Sequence, residues 1–382
     1  MAESDNRDGY GHPFIEKGGK VLRCGHTTGT CAAAATKAAA DALLTGDFPS
    51  EVVISTPKGY DLTLPVSYSS GDGSVTCTVV KDGGDDEDAT NGMDVTSTVT
   101  RIGSGFVIDG GIGVGRVTRR GMDQPVGNAA INRVPRRMIE SEARASAERN
   151  GYRGGLSVVI SVPKGEEIAS KTFNPRLGIE GGISILGTSG IVEPMSEAAL
   201  IATIGTEMRM HAANGERTVL VVPGNYGKDF VSAMPGLDGD SAVKCSNFIG
   251  DMLDYASEYG LDVLLVGNIG KLVKLAGGIM NTHSKYGDAR MSTLRNAADE
   301  AGADQDVLDS IDRCVMTDDA LDVLDSAGLL EPVIDILMGR IQANMRQRTG
   351  GMVRTAAVMF SSKRGMLGRT ELADDMIREL SI

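Results

Sequence analysis

Residues 218–227 read TVLVVPGNYG, and residues 262–270 read DVLLVGNIG. Each stretch is a short apolar strand that runs directly into a glycine-containing loop, and a helical pattern follows each loop. Short apolar strands that alternate with helices are typical of parallel strands that are buried on both faces and joined by right-handed crossovers. Residues 171–382 are therefore predicted to form a doubly wound, Rossmann-like α/β domain with a helical segment over residues 288–346.

The residues before 171 show a different hydrophobic periodicity. Between residues 51 and 118, β-branched residues alternate with polar ones in short runs, which predicts strands of a mainly antiparallel or mixed sheet. An alanine-rich helix is predicted before these strands, within residues 27–46, and a second helix after them, over residues 134–150. We therefore predict an α+β domain over residues 21–170.

The overall composition excludes several classes of protein. The 51 Asp and Glu residues outnumber the 38 Lys and Arg residues, and the net charge of −13 argues against a nucleic-acid binder that neutralises phosphates over a broad face. The 5 cysteines show no metal-binding spacing, so neither a disulfide framework nor a structural zinc site is indicated. No apolar run approaches the roughly 20 residues of a membrane helix. Residues 1–20 resemble a flexible polar tail rather than a secretion signal, so we expect a cytoplasmic protein.

Three loops are candidates for a cofactor site, because ligands of an open parallel sheet bind beyond the carboxyl ends of its strands. They are GTSG at 187–190, PGNYG at 223–227 and GNIGK at 267–271. Together they would surround a nucleotide-like or sulfonium cofactor; the alternative is that they are ordinary turns. No phosphate-binding or dinucleotide-binding glycine motif is present, so ATP hydrolysis and nicotinamide chemistry have little support. The candidate cofactor-binding residues are Gly187, Thr188, Ser189, Gly190, Pro223, Gly224, Asn225, Gly267, Asn268, Gly270 and Lys271.

Basic residues are clustered although the chain is acidic. Arginine binds carboxylates through two parallel hydrogen bonds, so these clusters fit a ligand with several carboxylates, or they are surface arginines that balance nearby acids. The TTGT segment at 27–30 precedes a helix, whose free N–H groups favour an anion, although a simple cap at Thr28 or Thr30 would need only one threonine. The candidate substrate-binding residues are Thr27, Thr28, Gly29, Thr30, Arg116, Arg119, Arg133, Arg136, Lys171, Asn174 and Arg176.

Four further features have two interpretations each. Cys31 is either an activated thiolate or, as we favour, a small buried residue. His283 is either an acid or base or a structural histidine. The acidic turn at 82–88 is either a magnesium site or, as we favour, a solvated turn, so no metal is predicted. GGIGVG at 110–115 is either a phosphate loop or, as we favour, a closely packed strand.

Several longer strings follow one another in order between about Leu22 and Arg290. They are TTGTCAAAA, KDGGDDED, GGIGVGRVT, AINRVPRRMI, KTFNPRLGIEGGISILGTSGIVEPMSE, SNFIGDMLD and GNIGKLVKLAGGIMNTHS. Together they closely resemble the cobalt-precorrin-5B C(1)-methyltransferase family of the anaerobic cobalamin pathway. The resemblance implies methyl transfer from S-adenosylmethionine to ring carbon 1 of a tetrapyrrole with acetate and propionate arms, giving cobalt-precorrin-6A. Cobalt then belongs to the substrate.

The resemblance also implies roles for the candidate residues. The three glycine loops would hold the methyl donor, and the TTGT segment and the arginines would hold the ring. Positioning should dominate over acid–base chemistry, because the sulfonium methyl is already a strong electrophile. The candidate catalytic residues are Glu193, a partner for the charged groups of the donor, and His283; either would accept a proton as the ring rearranges. Where the family usually has an aromatic residue, two prolines and a threonine, this chain has His26, Glu87, Arg133 and Ser189.

Two other functions stay open. A domain with GGIGVG, a lysine and an acidic turn fits a kinase-like phosphotransferase that holds ATP and magnesium. A non-catalytic corrinoid-binding protein would need the ring site but not the glycine loops of residues 171–382. The sequence leaves open whether the chain forms a homo-oligomer.

Overall fold

The computed structural model describes residues 6–381, and its contacts divide the chain into two compact units. Unit 1 ends at Ser196, and unit 2 begins at Glu197. Each unit has its own hydrophobic core, as expected for a chain of this length.

Unit 1 consists of three helices and many short strands among the described residues. They are β1 (Phe14–Lys17), β2 (Lys20–Arg23), β3 (Gly25–His26), α1 (Thr28–Thr45), β4 (Glu51–Ser55), β5 (Asp61–Pro65), β6 (Ser67–Gly71), β7 (Ser74–Val80), β8 (Asp94–Ile102), β9 (Phe106–Gly110), β10 (Gly113–Val114), β11 (Arg116–Val117), α2 (Arg133–Arg149), β12 (Gly155–Ser161), α3 (Gly165–Ala169), β13 (Ile179–Glu180), β14 (Gly182–Ile183) and β15 (Ile191–Val192).

The main sheet of unit 1 has the order β6-β7-β8-β12-β9. All of its pairs are antiparallel except β12 with β9, so the predicted mixed sheet is confirmed. Alternate residues of β7 and β8 are buried, as their period of two requires. Helix α1 covers that buried face and also contacts α2. Its alanines, among them Ala32 and Ala39, are fully buried, because a methyl side chain lets the helix approach the sheet closely.

The cap of α1 differs from the expectation. Thr27, rather than Thr28 or Thr30, is the N-cap, and its side-chain oxygen accepts a hydrogen bond from the Thr30 amide. The helix ends as predicted at Gly46, which adopts a φ of 83°.

Residues 6–20 also differ from the predicted tail; residues 1–5 lie outside the described part. Here β1 and β2 form an antiparallel hairpin, and Arg7 bridges Pro13. His12 is buried, with one ring nitrogen 2.9 Å from the ring of His26. Buried contacts of this kind hold the segment on unit 1.

The division between the units falls after Ser196, whereas the sequence predicted it after residue 170. The intervening residues stay with unit 1 because their short strands pair there: β13 with β11, β14 with β10, and β15 with β3. The run GISILGTSG, expected as the first strand and loop of the α/β domain, therefore belongs to unit 1.

Unit 2 alternates helices with strands. Its elements are α4 (Glu197–Ala213), β16 (Thr218–Val222), α5 (Asn225–Ser232), β17 (Val243–Lys244), α6 (Ile249–Tyr259), β18 (Asp262–Asn268), α7 (Ile269–Ala276), α8 (Arg290–Glu300), α9 (Gln305–Arg313), α10 (Thr317–Ser326), α11 (Leu330–Arg348), β19 (Thr355–Ser361), β20 (Gly365–Arg369) and α12 (Ala373–Leu380), with a 3-10 turn at Ser284–Tyr286.

The sheet of unit 2 has the order β17-β16-β18-β19-β20, parallel except for β20. The side chains on its two faces pack into two different hydrophobic cores. Val219 and Val221 pack with α4, α6 and α7, while Leu220 and Val222 pack with α5 and α12. The strands are buried on both faces, which explains why they are continuously apolar. Among the described helices, none combines the length and apolar character needed to cross a bilayer.

GGIGVG is a site of close backbone approach, as predicted. A Cβ atom added to Gly113 would lie 1.8 Å from the carbonyl oxygen of Val162, and Gly113 has a φ of 71°. The three backbones of Gly113, Gly165 and Gly182 meet there, because a Cβ on either of the other two would reach Gly113. Only glycine allows this contact.

We expect Gly113→Ala to lower the free energy of unfolding by about 3 kcal/mol or more, because it combines a left-handed conformation with a backbone clash. The matched control is Gly127→Ala, since Gly127 has a φ of 90° but no atom within 4 Å of an added Cβ. That variant should lose only about 1–2 kcal/mol. Urea unfolding of both variants gives the comparison, and equal losses would contradict the packing argument.

Candidate functional site

The carboxyl ends of β16 and β18 lie side by side in unit 2. The two strands are parallel neighbours, with Val221 opposite Leu265. The chain leaves β16 at Pro223 and leaves β18 at Asn268, so two of the predicted glycine loops come together at this edge. Since β17 lies on the other side of β16, the next connections diverge here, and such a point is where open α/β sheets bind ligands.

Hydrogen bonds fix the loops at this edge. The Lys271 ammonium donates to the carbonyl oxygens of Ser246 (3.1 Å) and Pro223 (3.4 Å). Lys244 donates to the side-chain oxygen of Asn225 at 2.9 Å. The Asn268 side chain caps α7 by accepting from the Gly270 amide at 2.9 Å. Burial lowers the pKa of Lys271.

One glycine of these loops, Gly224, borders open space, and a second, Gly270, lies against the cap of α7. An added Cβ at Gly224 would meet no atom within 4 Å, and the backbone there is extended with a φ of 173°. A Cβ at Gly270 would come no closer than 3.3 Å, to the neighbouring Asn268 side chain. At Gly224 neither packing nor backbone conformation requires a glycine, whereas a side chain at Gly270 would press on the Asn268 cap. The small size of Gly224 leaves room for a ligand to approach the backbone.

A polar cavity of about 320 Å³ lies beside α7 in unit 2. Its wall includes Asn247, Gly270, Lys274, Thr282 and His283. His283 is exposed, and its Nδ1 accepts a hydrogen bond from the Lys285 amide at 3.1 Å. A neutral ring that accepts at Nδ1 carries its proton on Nε2. In its neutral form His283 therefore presents an N–H donor at Nε2, and its role as a proton acceptor stays a prediction.

Sequence reasoning missed Lys274. Its side chain is only 5% exposed, and its ammonium donates to the carbonyl oxygens of Thr282 (3.3 Å) and Gly287 (3.2 Å). Lysine is seldom buried to this degree. The available signal was a charged residue on the buried face of an amphipathic helix, within the apolar run LVKLA.

The third predicted loop, 187–190, lies in unit 1 against the start of α1. The Thr27 amide and the Thr30 hydroxyl both donate to the carbonyl oxygen of Gly190, and the Gly29 amide donates to Leu186. A Cβ at Gly187 would lie 2.4 Å from the Thr27 side chain. The glycines of this loop serve packing, and the threonines, which are buried, hold the loop.

Thr28 and Ser189 complete this contact. Thr28 exchanges hydrogen bonds with the backbone of Leu186, donating from its hydroxyl and accepting from the Leu186 amide at 3.0 Å. The Ser189 hydroxyl bonds within its own loop, while the Ser189 carbonyl accepts from the Lys58 amide. The predicted cofactor loop and the predicted substrate segment thus form one hydrogen-bonded structure.

The predicted substrate-binding arginines occupy different environments. Arg116 donates to the carboxylate of Asp109 and to the carbonyl of Gly110, and Arg136 donates to the carbonyl of Ile108. These two arginines therefore meet at β9, where the buried Nε of Arg136 has no hydrogen-bond partner. Arg119 and Lys171 are exposed, and the Arg133 side chain is 76% exposed.

Asn174 does not face solvent. Its side-chain oxygen accepts from the amide and hydroxyl of Ser184, and its side-chain nitrogen donates to Thr172. The Asn174 side chain therefore links the chain before β14 to Ser184, the residue that follows β14. Arg176, two residues further on, is half-buried.

Several acidic side chains of unit 1 form ion pairs with basic residues of the same unit. Glu193 forms an ion pair with Lys58 and raises the pKa of that lysine. In the acidic turn, Asp82 binds the Arg23 guanidinium through two hydrogen bonds, and Asp88 pairs with the buried Lys81. No cluster of three or more potential metal ligands occurs within residues 6–381. Two acids of the turn at 82–88 are therefore ion-paired with neighbouring basic residues, Asp82 with Arg23 and Asp88 with Lys81.

A buried histidine pair lies beside the start of α1. His12 Nε2 is 2.9 Å from His26 Nδ1, and His12 Nδ1 is 3.0 Å from the carboxylate of Asp8. Burial and the charges of His12 and Lys81 lower the pKa of His26 to about 3. Cys31 nearby is completely buried, and burial raises its pKa to about 12, so it is a thiol, as favoured.

We expect the free energy of unfolding to fall as the pH is lowered from 7 to 5. The unfolded chain protonates His26 below about pH 6.5, whereas the folded chain resists protonation down to about pH 3. By linkage, this histidine costs about 2 kcal/mol at pH 5. The carboxylates with lowered pKa values, such as Asp82, contribute only below this range.

Urea unfolding at both pH values measures this effect. His26→Phe should remove most of the acid-induced loss. His211→Phe, which removes a histidine paired with Glu216 near the surface, should keep it. An unchanged loss in His26→Phe would assign the pH dependence to other groups.

Comparison with known proteins connects these features to a family. A model of the CbiD family matches residues 15–194, and a model described as CbiD, C-terminal domain, matches residues 281–371. The two matches cover most of unit 1 and the second half of unit 2.

Full-length relatives give the same result. A protein of Ruminiclostridium cellulolyticum is 46% identical over 96% of this chain and 97% of its own length. Relatives from Alkaliphilus metalliredigens and Thermoanaerobacter sp. are 42% and 44% identical, over 96% and 93% of this chain and 97% of each relative. All three are named cobalt-precorrin-5B C(1)-methyltransferase.

A solved structure is also similar in sequence. The cobalamin biosynthesis protein cbiD of Archaeoglobus fulgidus is 29% identical, with a TM-score of 0.39, over 76% of this chain and 88% of that one. With two family models and relatives over 40% identical along nearly its whole length, this chain belongs to the CbiD family.

Proposed function

We propose that this protein is a C-methyltransferase that uses S-adenosylmethionine to methylate ring carbon 1 of cobalt-precorrin-5B, giving cobalt-precorrin-6A in anaerobic cobalamin biosynthesis. The names of its relatives support the reaction and the substrate. The observation that carries the donor assignment is the open space at Gly224, on one of two loops that meet at the carboxyl edge of a parallel sheet. We place the reaction in the cytoplasm, with cobalt present only as part of the substrate.

Unit 2 would act as a Rossmann-like donor-binding unit. The residues that we assign to the donor are Pro223, Gly224, Asn225, Asn268, Gly270 and Lys271. Gly267 lies within β18 and packs against Leu272, so it is left out of the proposed site. Loop 187–190 is not part of this proposed site, because Gly187 packs against Thr27 and the Gly190 carbonyl accepts hydrogen bonds from Thr27 and Thr30. S-adenosylmethionine supplies a methyl group on a positively charged sulfur, which is electrophilic without further activation.

The protein therefore has to bind, orient and exclude water. The Lys271 ammonium, fixed by two carbonyl oxygens, holds the loop that follows β16 against the start of α7. The Asn268 cap fixes the first turn of α7. Loops fixed in this way lose little freedom when a ligand binds, which favours a defined orientation.

Unit 1 would bind the polyacid ring through cations at its surface. Arg119, Arg133 and Lys171 are exposed, and Arg116 and Arg136 lie together at β9. Thr27–Thr30 and Asn174 support this surface through their hydrogen bonds to the 184–190 segment. In this arrangement the threonines act as positioning residues rather than as an anion site.

Product analysis tests the proposed reaction. Purified protein, labelled S-adenosylmethionine and cobalt-precorrin-5B under anaerobic conditions should give one added methyl per ring by mass. Lys271→Met should lower the rate about 10-fold or more, because the loop after β16 loses the hydrogen bond that Lys271 donates to the Pro223 carbonyl. The control Lys37→Met removes a half-buried lysine that also donates to a carbonyl, that of Val53, and should keep the rate. A ring that remains unlabelled with the wild-type protein would contradict the function.

Ligand-induced stabilisation separates the alternatives. S-adenosylhomocysteine should raise the melting temperature of the methyltransferase, since a ligand that binds only the folded state stabilises it. Stabilisation by ATP with magnesium instead would favour the kinase-like phosphotransferase. Ring binding that survives loss of the donor-binding loops, without any methyl transfer, would favour a non-catalytic corrinoid-binding protein.

His283→Ala should lower kcat by less than about 10-fold, because a histidine that donates from Nε2 contributes to orientation and not to proton removal. The pH profile of kcat should then keep its shape in the variant. A loss of 100-fold or more, together with the disappearance of a pKa from the profile, would restore His283 as the proton acceptor. Glu193→Gln gives the parallel test for the other candidate, whose ion pair with Lys58 occupies its carboxylate.

A further inference from the structure

The cavity beside α7 contains more positive than negative charge. Asp288 and Arg290, both in its wall, bind each other through two hydrogen bonds of 2.6 Å, so their charges cancel. This pairing, with the Lys274 charge nearby, lowers the pKa of Asp288 to about 2. The Lys274 ammonium is left as the excess charge of the wall. The first turn of α7, which adds the positive end of a helix dipole, borders the same cavity at Gly270.

Lys274 has a donor to spare. An ammonium has three N–H donors, and the carbonyl oxygens of Thr282 and Gly287 account for two of them. A buried cation that donates its hydrogen bonds to neutral carbonyls gains much from a directly bound anion, because attraction is stronger where water is excluded. His283 donates from Nε2 in its neutral form at the same wall.

The size and polarity of the cavity favour a small planar anion on a larger ligand. A volume of about 320 Å³ admits a side arm rather than a whole tetrapyrrole. Asn247 contributes an amide, fixed through the Thr282 hydroxyl at 3.2 Å, and so adds a polar group to the wall. A carboxylate matches one cation, one imidazole donor and an amide.

We propose that this cavity is a carboxylate-binding pocket in which the Lys274 ammonium takes a carboxylate of one of the two ligands of the reaction. This inference rests on the proposed function, which supplies two sources of that group. One is the amino-acid end of the methyl donor, and the other is an acetate or propionate arm of the ring. Lys274 is then a binding residue that also positions the 282–287 loop.

Lys274→Met tests the pocket with two probes. If the donor carboxylate occupies it, affinity for S-adenosylhomocysteine should fall about 10- to 100-fold, the loss expected for one charge-assisted hydrogen bond. Affinity for 5′-methylthioadenosine, which lacks the amino-acid end, should not change. If a ring arm occupies it, affinity for cobalt-precorrin-5B should fall while both adenosine compounds bind as before. Lys37→Met is the matched control and should leave all three affinities unchanged.

Asp288→Asn tests the same pocket with a variant that is expected to increase, rather than decrease, the affinity for the carboxylate ligand. Asp288 is half exposed, so the variant should fold even where loss of the buried lysine prevents folding. It frees the Arg290 guanidinium and should tighten binding of the carboxylate ligand several-fold, again without effect on 5′-methylthioadenosine. Unchanged affinities for S-adenosylhomocysteine and cobalt-precorrin-5B in Asp288→Asn and in folded Lys274→Met would overturn the pocket.

The proposed function has a separate criterion. If wild-type protein binds S-adenosylhomocysteine and transfers methyl groups while Lys274→Met and Asp288→Asn behave as wild type, the reaction stands and the pocket fails. If wild-type protein neither binds the donor product nor methylates the ring, the reaction fails, and the affinities for cobalt-precorrin-5B alone decide whether the pocket exists.

Discussion

Parallel pairing of β16 with β18 places two chain segments at one edge of unit 2. Val221 lies opposite Leu265, so the chain that leaves β16 at Pro223 runs beside the last residues of β18, which ends at Asn268. Lys271 then reaches back from α7 to the carbonyl that follows β16. The open position at Gly224 has meaning only because this pairing brings its loop to the same edge as the loop that contains Gly270. The cavity beside α7 depends on the same helix.

Unit 1 is organised by backbone contacts rather than by a large apolar core alone. Gly113, Gly165 and Gly182 approach so closely that none of them tolerates a side chain. Threonine hydroxyls at the start of α1 bind the carbonyls of the 186–190 loop. Glycine and threonine are therefore frequent here for structural reasons, and their presence in a motif does not by itself indicate a ligand. The exposed and partly paired arginines are the better evidence for a polyacid substrate.

Two buried polar features of this protein, a lysine ammonium and a pair of imidazole rings, lower its stability unless they are well hydrogen-bonded. Lys274 is buried among carbonyl oxygens, and His12 and His26 share a hydrogen bond inside unit 1. Desolvation of such groups is unfavourable unless they are well bonded. His26 and Lys274 differ in this respect, because the ring of His26 stays neutral while the Lys274 ammonium keeps a donor for a partner. Only the second arrangement points to a ligand.

The sequence by itself determined the elements with a clear period. The alternating strands of unit 1, the alanine-rich α1, and the apolar strands and helices of unit 2 all follow from local patterns of burial. Motif order was also enough to indicate the family. The tertiary structure decided which loops lie together, because hydrogen bonds such as that of Thr30 to Gly190 join residues far apart in the chain. It also assigned the two-residue strands β13, β14 and β15, too short to show a period, to unit 1, and it revealed Lys274 and His12 as buried groups.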